Sequence, residues 1–221
     1  MDNLIADLHI HSKYSHDSLM SPESIVKKAK KVGLTCIAIT DHDTIRGGIE
    51  GKNVGEKYSI RVIVGSEVNT DCGDIIGLNL TEEIHVTEWK EVIRAIRSQG
   101  GLVVLPHPYR EHTSVDLVAQ QVDFIECWNA RSTPEQNNLA HDLAVRLSKP
   151  EIIGSDAHIP EEIGLVKASI NPQTFELSAI NSAKQTSVWN IRKSQIVSHL
   201  KRGEFRKLVK NGVGLLWKKK T

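Results

Sequence analysis

The chain has 221 residues, of which 39% are hydrophobic and 25% charged, and its formal net charge is +1. This length suffices for one domain with a complete core, and the composition is that of an ordinary globular protein. No apolar run approaches the roughly 18 residues of a membrane span, and the N-terminus lacks the basic start and apolar stretch of a signal peptide. We therefore expect a cytoplasmic protein without a membrane span.

Short apolar runs alternate with helical patterns along most of the chain. The strand candidates are, in chain order, LIADLHI, TCIAIT, RVIVGSE, DIIGLNL, GLVVLP, VDFIECW, EIIGSD and VKASI. The first helix candidate, SPESIVKKAKKVG, has Ser21 as N-cap, Pro22 in its first turn and Gly33 after its end. The segment VNTDCGDIIGL is typical of a hairpin rather than a crossover. Strands that alternate with helices predict a parallel sheet, open or closed into a barrel.

The first strand concentrates imidazoles and carboxylates. Because side chains alternate between the two faces of a strand, Asp7, His9 and His11 are expected to share one face. Ala6 and Leu8 belong to the opposite, wholly apolar face, which should pack against helices. Burying three polar groups without partners is costly, so the Asp-x-His-x-His pattern indicates metal binding rather than an ordinary core.

Five further strand candidates also deliver a histidine or an acid at their carboxyl ends. These residues are Asp41, His42 and Asp43 after TCIAIT, Glu67 after RVIVGS, His107 after GLVVLP, Glu126 after VDFI, and Asp156 and His158 after EIIGS. Barrel enzymes and open α/β sheets build their active sites at such ends. The donors are nitrogen and oxygen without Cys, so manganese, zinc and iron are all compatible. There are too many ligands for one ion, which predicts two or three divalent metal ions.

Five motifs in this order resemble those of the PHP (polymerase and histidinol phosphatase) superfamily. They are Asp7-Leu8-His9-Ile10-His11, Thr40-Asp41-His42-Asp43, Gly65-Ser66-Glu67, Pro106-His107-Pro108 and Gly154-Ser155-Asp156-Ala157-His158. The resemblance implies an α/β fold, a distorted (β/α)7 TIM-like barrel, with a trinuclear metal site at the C-terminal ends of the strands and phosphoesterase activity. The matched metal ligands are His9, His11, His16, His42, Glu67, His107, Asp156 and His158. Asp7 is expected to hold a ligand histidine in its tautomer.

Two positions depart from the family pattern. Many members carry a histidine on the fourth strand where this chain has Asp74, and some supply another after the Glu126 strand, where this chain has none. Asp74, Glu126 or Asn129 could stand in as a ligand, or one ion could be held loosely. We keep Glu126 among the predicted metal ligands.

Phosphate esters are the natural substrate for clustered divalent ions, which generate a hydroxide near neutral pH and neutralise phosphate charge. We therefore expect attack by a metal-bound hydroxide, with Asp7, Asp156 and His158 as catalytic residues. Arginine can hold phosphate oxygens in a planar fork. The predicted phosphate-binding residues are Arg110, Arg131 and Asn129 in loops of the catalytic face, with Arg46 as a weaker candidate.

The compact chain looks more like the PHP members that act on nucleotides or short oligonucleotides than like the longer histidinol phosphatases. Two alternatives stay open. One is a histidinol-phosphate-type phosphatase of small molecules, and the other is a non-catalytic, metal-binding regulatory domain. A metal-dependent amide hydrolase on a similar barrel is disfavoured by the two arginines and by the missing strand lysine.

Charge is distributed unevenly along the chain. Residues 192–221 carry ten lysines and arginines against one acid, a formal charge of +9, which leaves −8 on the rest. Phe205, Leu208 and Val209 recur near helical spacing in this segment. We expect one domain over residues 1–221 whose basic C-terminal segment packs on the barrel or extends from it to contact an anionic partner such as nucleic acid.

Overall fold

The structure, a computed structural model, describes residues 3–204, and within them the chain forms nine strands and six helices. In chain order the elements are β1 (Leu4–Ile10), α1 (Pro22–Lys31), β2 (Cys36–Ile39), α2 (Arg46–Tyr58), β3 (Arg61–Thr70), β4 (Gly73–Leu78), α3 (Trp89–Ser98), β5 (Leu102–Leu105), α4 (Val115–Gln121), β6 (Phe124–Asn129), α5 (Pro134–Leu147), β7 (Glu151–Gly154), β8 (Val166–Ile170), β9 (Leu177–Ala183) and α6 (Val188–Lys201). The eight predicted strands are confirmed as β1 to β8. The additional strand, β9, is mostly exposed and carries little apolar alternation.

Local sequence signals set the helix ends. The Ser21 hydroxyl accepts the Ser24 N–H ahead of α1, and Gly33 follows that helix with a φ of 83°, in the region that favours glycine. Helix α5 begins with a reciprocal pair of capping bonds between Thr133 and Gln136. These ends fix where the loops leave the helices and return to the strands.

The sheet is a nearly closed barrel. Its strands are hydrogen-bonded in the order β7-β6-β5-β4-β3-β2-β1-β8-β9, and β4 is antiparallel to both β3 and β5, since the predicted hairpin joins β3 to β4. The segment after β7 meets β1: Ile10 bridges Ala157, whose carbonyl accepts the His11 N–H at 2.9 Å. The predicted distorted seven-stranded barrel is confirmed, and β8 and β9 extend it antiparallel from β1.

Strand β1 departs from strict alternation of its side chains. Its register against β2 shifts between Asp7 and Ile10, which is the signature of a bulge. Ala6 and Leu8 lie in a core cluster whose buried members, within residues 3–204, come from strands and loops, whereas Ile10 packs with residues of α1. The prediction that the apolar face of β1 backs onto helices is therefore wrong for Ala6 and Leu8. The bulge explains how His9 still reaches the barrel interior.

Helix α6 contains the first part of the basic C-terminal segment and contacts the barrel. Ser194 on this helix is buried, and its hydroxyl accepts a hydrogen bond from Arg131 at 2.6 Å. Residues 205–221, including Phe205 and the rest of the predicted amphipathic pattern, lie outside the described residues. Among the helices between residues 3 and 204, none combines the length and the apolar composition that a membrane span requires.

Helix α2 approaches the sheet closely because its buried residues are all glycines. A Cβ on Gly55 would lie 2.5 Å from the Ile60 carbonyl oxygen, which is backbone and cannot move away. A Cβ on Gly51 would instead meet Cδ1 of Ile39 at 2.6 Å, the free end of a flexible side chain. At Gly55 the nearest atom to the new methyl group belongs to the backbone, and at Gly51 it belongs to a side chain.

We predict that Gly55→Ala lowers the free energy of unfolding by about 1–3 kcal/mol, the usual cost of overpacking. Gly51→Ala is the matched control, since alanine gains about 1 kcal/mol of helix propensity there and only a side-chain end must shift. Urea unfolding followed by circular dichroism measures both. Equal stability of the two variants would show that α2 does not depend on this close approach.

Candidate metal centre

Imidazoles and carboxylates from six strand ends and loops meet in one place. The residues that could hold metal ions form four groups: His11, Asp17, His42 and His158; His9, His11 and Glu67; His9, His107 and Asp156; and Glu67, Asp74 and His107. Within each group the potential ligand atoms all lie within 4.8 Å of one another. Since His9, His11, Glu67 and His107 each belong to two groups, the groups form one continuous cluster.

The innermost contacts involve the two histidines at the end of β1. Their Nε2 atoms lie 3.1 Å apart, and Glu67 Oε2 lies 3.4 Å from that of His9 and 3.3 Å from that of His11. Asp156 Oδ1 is 3.3 Å from His11 Nε2. Two ring nitrogens that face each other can share at most one proton. The two nitrogens and the two carboxylate oxygens therefore surround a space that protons or a cation must fill. This nitrogen and oxygen donor set fits a divalent cation.

The outer group gives a second test of fit. His158 Nδ1 lies 2.7 Å from the carbonyl oxygen of Asp156, which can only accept, so Nδ1 carries the proton and Nε2 of the neutral ring has none. That bare Nε2 faces Asp17 Oδ2 at 2.9 Å, and His42 Nε2 lies 3.2 Å from the same oxygen. Burial lowers the pKa of His158 below its ordinary value. A neutral imidazole and a carboxylate in this contact need a cation, which a metal ion supplies.

The group of Glu67, Asp74 and His107 includes the position on the fourth strand that departs from the family pattern. His107 Nε2 lies 2.8 Å from Glu67 Oε1, while its Nδ1 is buried without a hydrogen-bond partner. Asp74, on β4, joins these two residues as a potential ligand. Asp74 belongs to one of these groups, whereas Glu126 belongs to none among the described residues.

Glu126 and Asp7 support the cluster from behind. Glu126 Oε1 accepts from His9 Nδ1 at 3.0 Å and thereby directs His9 Nε2 toward the other ligands. The prediction places Asp7 in that role. Asp7 Oδ1 instead accepts the Ser155 N–H at 2.9 Å, and burial raises the pKa of Asp7 to about 7. Asp7 thus fixes the turn that presents Asp156.

Two candidate ligands have backbone conformations that favour glycine. The φ angles are 29° at His107 and 53° at Asp156, and such residues cost about 1–3 kcal/mol each. Glu126 Oε2 holds the His107 N–H at 2.9 Å, and Asp7 holds the residue before Asp156. The buried carboxylates behind the cluster therefore maintain the strained turns that aim its ligands.

The ligands also keep one another charged. Although burial lowers the pKa of His11, hydrogen bonds and charge from Asp156 and Glu67 raise it to about 10. Burial alone would raise the pKa of Glu67, but His9 and His42 hold it well below its usual range. In the metal-free chain His11 thus holds a proton where a cation would lie. Because histidine binds metal in its neutral form, an ion must displace that proton.

His16 lies at the rim of the cluster rather than inside it. Its ring stacks on His42 with centroids 4.6 Å apart, and its Nε2 lies 2.6 Å from Arg202 Nη2 but 3.7 Å from Asp17 Oδ2. The carboxylate of Asp17 occupies the outer group in its place. Asp17 is not among the ligands predicted from the sequence. An acid directly after His16, in the loop that follows β1, is a signal that could have identified it.

Arg110 and Asn129 are joined beside the cluster. Arg110 Nη2 lies 2.5 Å from Asp156 Oδ2, and its Nη1 donates to Asn129 Oδ1 at 3.2 Å. Asn129 is fully buried, and its Nδ2 donates to Glu126 and Asp156. Both ends of the Asn129 amide are thus bound within the protein. Asn129 orients the carboxylates and Arg110, and it does not present a free donor to phosphate as the sequence analysis expects.

Arg131 is tied to a residue that sequence reasoning missed. Its Nη1 lies 3.3 Å from Oε2 of Glu162, which is fully buried. Glu162 Oε2 also accepts the His158 N–H at 2.8 Å, and its Oε1 accepts from Thr186 at 2.7 Å. Glu162 therefore connects the ligand His158 with the segment before α6. An acid four residues after a ligand gives no recognisable sequence signal by itself.

A polar cleft of about 560 Å³ opens over the cluster. Besides the outer ligands, it is lined by Arg110, Arg131, Gln195 and Arg202. Arg46, the weaker arginine candidate, instead stacks on Tyr14 with 4.6 Å between its guanidinium carbon and the ring centroid. Three arginines from three different segments therefore face the same space as the candidate metal ligands.

We predict that Glu126→Gln weakens binding of one Mn²⁺ ion about 10- to 100-fold, the usual effect of removing a partner that orients a ligand histidine. Calorimetric titration of the metal-free chain with Mn²⁺ measures this. Glu91→Gln, at an exposed acid paired with Arg94 on α3, is the matched control and should bind Mn²⁺ as the unaltered chain does. Unaltered affinity in Glu126→Gln would contradict the supporting role of Glu126.

Sequence comparison identifies two relatives from one organism. An uncharacterized protein of Methanocaldococcus jannaschii is 47% identical over 115 residues, which cover 47% of this chain and 67% of that protein. A second uncharacterized protein of the same organism is 32% identical over 170 residues, which cover 72% of this chain and 67% of that protein.

The fold also resembles solved structures. A two-domain protein from Bacteroides vulgatus, which contains a predicted PHP-like metal-dependent phosphoesterase, superposes with a TM-score of 0.66 at 22% identity. The match covers 87% of this chain and 62% of that protein, so this chain spans less than two thirds of its length. At this identity the likeness concerns the fold.

Two family models match the chain in succession. The PHP domain model matches residues 7–137, and the PHP-associated model matches residues 134–183. The first match begins at Asp7 on β1 and includes every candidate ligand from His9 to His107. Because it spans more than half of the 221 residues, the chain belongs to the PHP domain family.

Proposed function

We propose that this protein is a metal-dependent hydrolase of phosphate esters. The observation that carries the proposal is the convergence of four groups of nitrogen and oxygen ligands beside an arginine at the floor of one open cleft. Membership of the PHP family supports it, as does the fold shared with a protein described as containing a PHP-like metal-dependent phosphoesterase. The number and identity of the ions are part of the proposal: two or three, and Mn²⁺, Zn²⁺ or iron.

The residues that would hold the ions are His9, His11, Asp17, His42, Glu67, Asp74, His107, Asp156 and His158. When bound, divalent ions supply a more acidic water and neutralisation of charge on phosphate oxygens. The protein supplies orientation, since Glu126 directs His9 and the Asp156 carbonyl fixes the tautomer of His158. Burial of the ligands keeps competing bulk water away from them and strengthens their interaction with charge.

Arg110 is the residue placed to bind the substrate phosphate. Its side chain is 28% exposed and lines the cleft while one end of the guanidinium contacts Asp156. A guanidinium has five N–H donors, and its contacts with Asp156 and Asn129 use one on each terminal nitrogen, so further donors remain for a phosphate. Asn129, behind it, keeps that plane oriented. Arg131 is proposed as a second phosphate contact. Its side chain is only 10% exposed and is paired with Glu162, so it has less surface available for a phosphate than Arg110 has.

Nucleotides and short oligonucleotides are the proposed substrates. A cleft of about 560 Å³ lies within the usual range for small-molecule sites, about 300–1,000 Å³. Its lining is polar, and its arginines suit a substrate with anionic groups at the metal cluster and beyond it. No described feature singles out histidinol phosphate or a purely regulatory role.

The decisive assay is hydrolysis by the Mn²⁺-loaded protein of a panel of phosphate esters. The panel contains nucleoside monophosphates, nucleoside bisphosphates, dinucleotides and histidinol phosphate. We expect release of phosphate or nucleotide from at least one nucleotide substrate, and none from His11→Ala. Preference for histidinol phosphate would redirect the substrate assignment, and inactivity on the whole panel with ions bound would contradict the catalytic proposal.

We predict that Arg110→Lys lowers kcat/KM by about 10- to 150-fold, which corresponds to one lost charged hydrogen bond of about 1.5–3 kcal/mol. Lysine keeps the charge but has no planar fork. Steady-state kinetics on the best phosphate ester measures the effect. Arg94→Lys, at an arginine of α3 that is paired with Glu91, is the control and should be unchanged. An Arg110→Lys variant as active as the Arg94→Lys control would assign phosphate binding to the metals alone.

A further inference from the structure

The C-terminal end of helix α6 contacts the loop that carries His16 and Asp17. This helix lies beyond both family matches, which end at residues 137 and 183. Two consecutive residues make the contacts. Arg202 reaches the ring of His16, and Lys201 reaches the backbone of the same loop. A part of the chain outside the family pattern is thus connected to the candidate metal centre.

Lys201 binds the loop through three backbone oxygens. Its Nζ lies 2.7 Å from the carbonyl oxygen of Lys13, 2.6 Å from that of Ser15 and 3.0 Å from that of Ser18. An ammonium group has three donors and no acceptor, so all three of its protons are used. The three carbonyls lie on both sides of Asp17 in the sequence, and the ammonium therefore fixes the stretch of backbone that presents Asp17.

The contact continues from that backbone to the outer ligands. The Ser15 hydroxyl donates to Asp17 Oδ1 at 2.7 Å, which leaves Oδ2 facing His158 and His42 at 2.9 and 3.2 Å. Asp17 is the only carboxylate in the group formed with His11, His42 and His158. The charge of this group toward a cation therefore depends on where the loop holds Asp17.

We propose that Lys201 is a positioning residue for the outer metal ion, which it affects by holding the loop around Asp17. A compact ammonium suits three carbonyls that surround one point, whereas the planar fork of arginine would not reach all of them. The inference rests on the proposed metal centre. It extends that centre to helix α6, which supplies structural support that the family motifs do not contain.

The test compares Lys201→Met with Lys193→Met. Lys193 lies on the same helix and makes an exposed ion pair with Glu161, 3.6 Å away, so its loss is the matched control. We expect Lys201→Met to bind one Mn²⁺ ion about 10- to 100-fold more weakly, with the remaining ions unchanged and activity restored at high Mn²⁺. Calorimetric titration gives the affinities. Lys201→Gln, which retains two donors, should fall between Lys201→Met and the unaltered chain.

A second comparison separates positioning from general destabilisation. The double variant with His42→Ala and Lys201→Met should lose no more ions than His42→Ala alone, because both changes act on the same ion. Thermal unfolding of each variant in EDTA reports the stability of the metal-free chain. Equal ion affinities in Lys201→Met and Lys193→Met would overturn the role of Lys201, as would uniform weakening of every ion in both Lys201 variants. Failure of the unaltered chain to bind ions would instead overturn the metal centre itself.

Discussion

The crowding of imidazole nitrogens and carboxylate oxygens at one end of the barrel is the constraint on which the rest of the structure depends. His9 and His11 face each other through nitrogens 3.1 Å apart, and Glu67 and Asp156 add carboxylate oxygens within 3.6 Å of them. Buried acceptors of this kind are unfavourable unless protons or cations lie between them. The cluster of the folded chain therefore binds positive charge, either as protons or as metal ions. The barrel holds the imidazoles and carboxylates in contact.

Several irregular features of the fold serve this arrangement. The bulge in β1 lets His9 enter the barrel, and positive φ angles at His107 and Asp156 aim two further ligands. Gly154 has no side chain where a Cβ would lie 2.3 Å from Glu126 Oε1. Such local costs persist only where surrounding contacts hold them in place. The buried carboxylates behind the cluster provide those contacts, so the site depends on residues that would touch neither metal nor substrate.

Much of the fold could be predicted from the sequence because its strands are short apolar runs that end in chemically distinctive residues. The eight strands and the β3–β4 hairpin follow from that pattern, and the closure into a barrel is what the resemblance to the PHP superfamily implies. The side of the sheet to which Ala6 and Leu8 point could not be predicted. A bulge in β1 reverses the alternation of its side chains, and no sequence pattern indicates that bulge. Most of the candidate ligands lie in the five sequence motifs and could therefore be predicted. Four features depend on distances between segments far apart in the chain, which no single stretch reveals. They are the place of Asp74 in a candidate group, Glu126 behind His9, and the contacts of Glu162 and Lys201.

The number of ions per chain tests the central claim most directly. The metal-free chain would be loaded with Mn²⁺, separated from free metal by gel filtration, and measured by elemental analysis against protein concentration. Four connected ligand groups predict two or three ions per chain, with fewer in a His42→Ala variant that keeps the inner groups. One ion or none in the unaltered chain would contradict the multinuclear centre and, with it, the proposed hydrolysis.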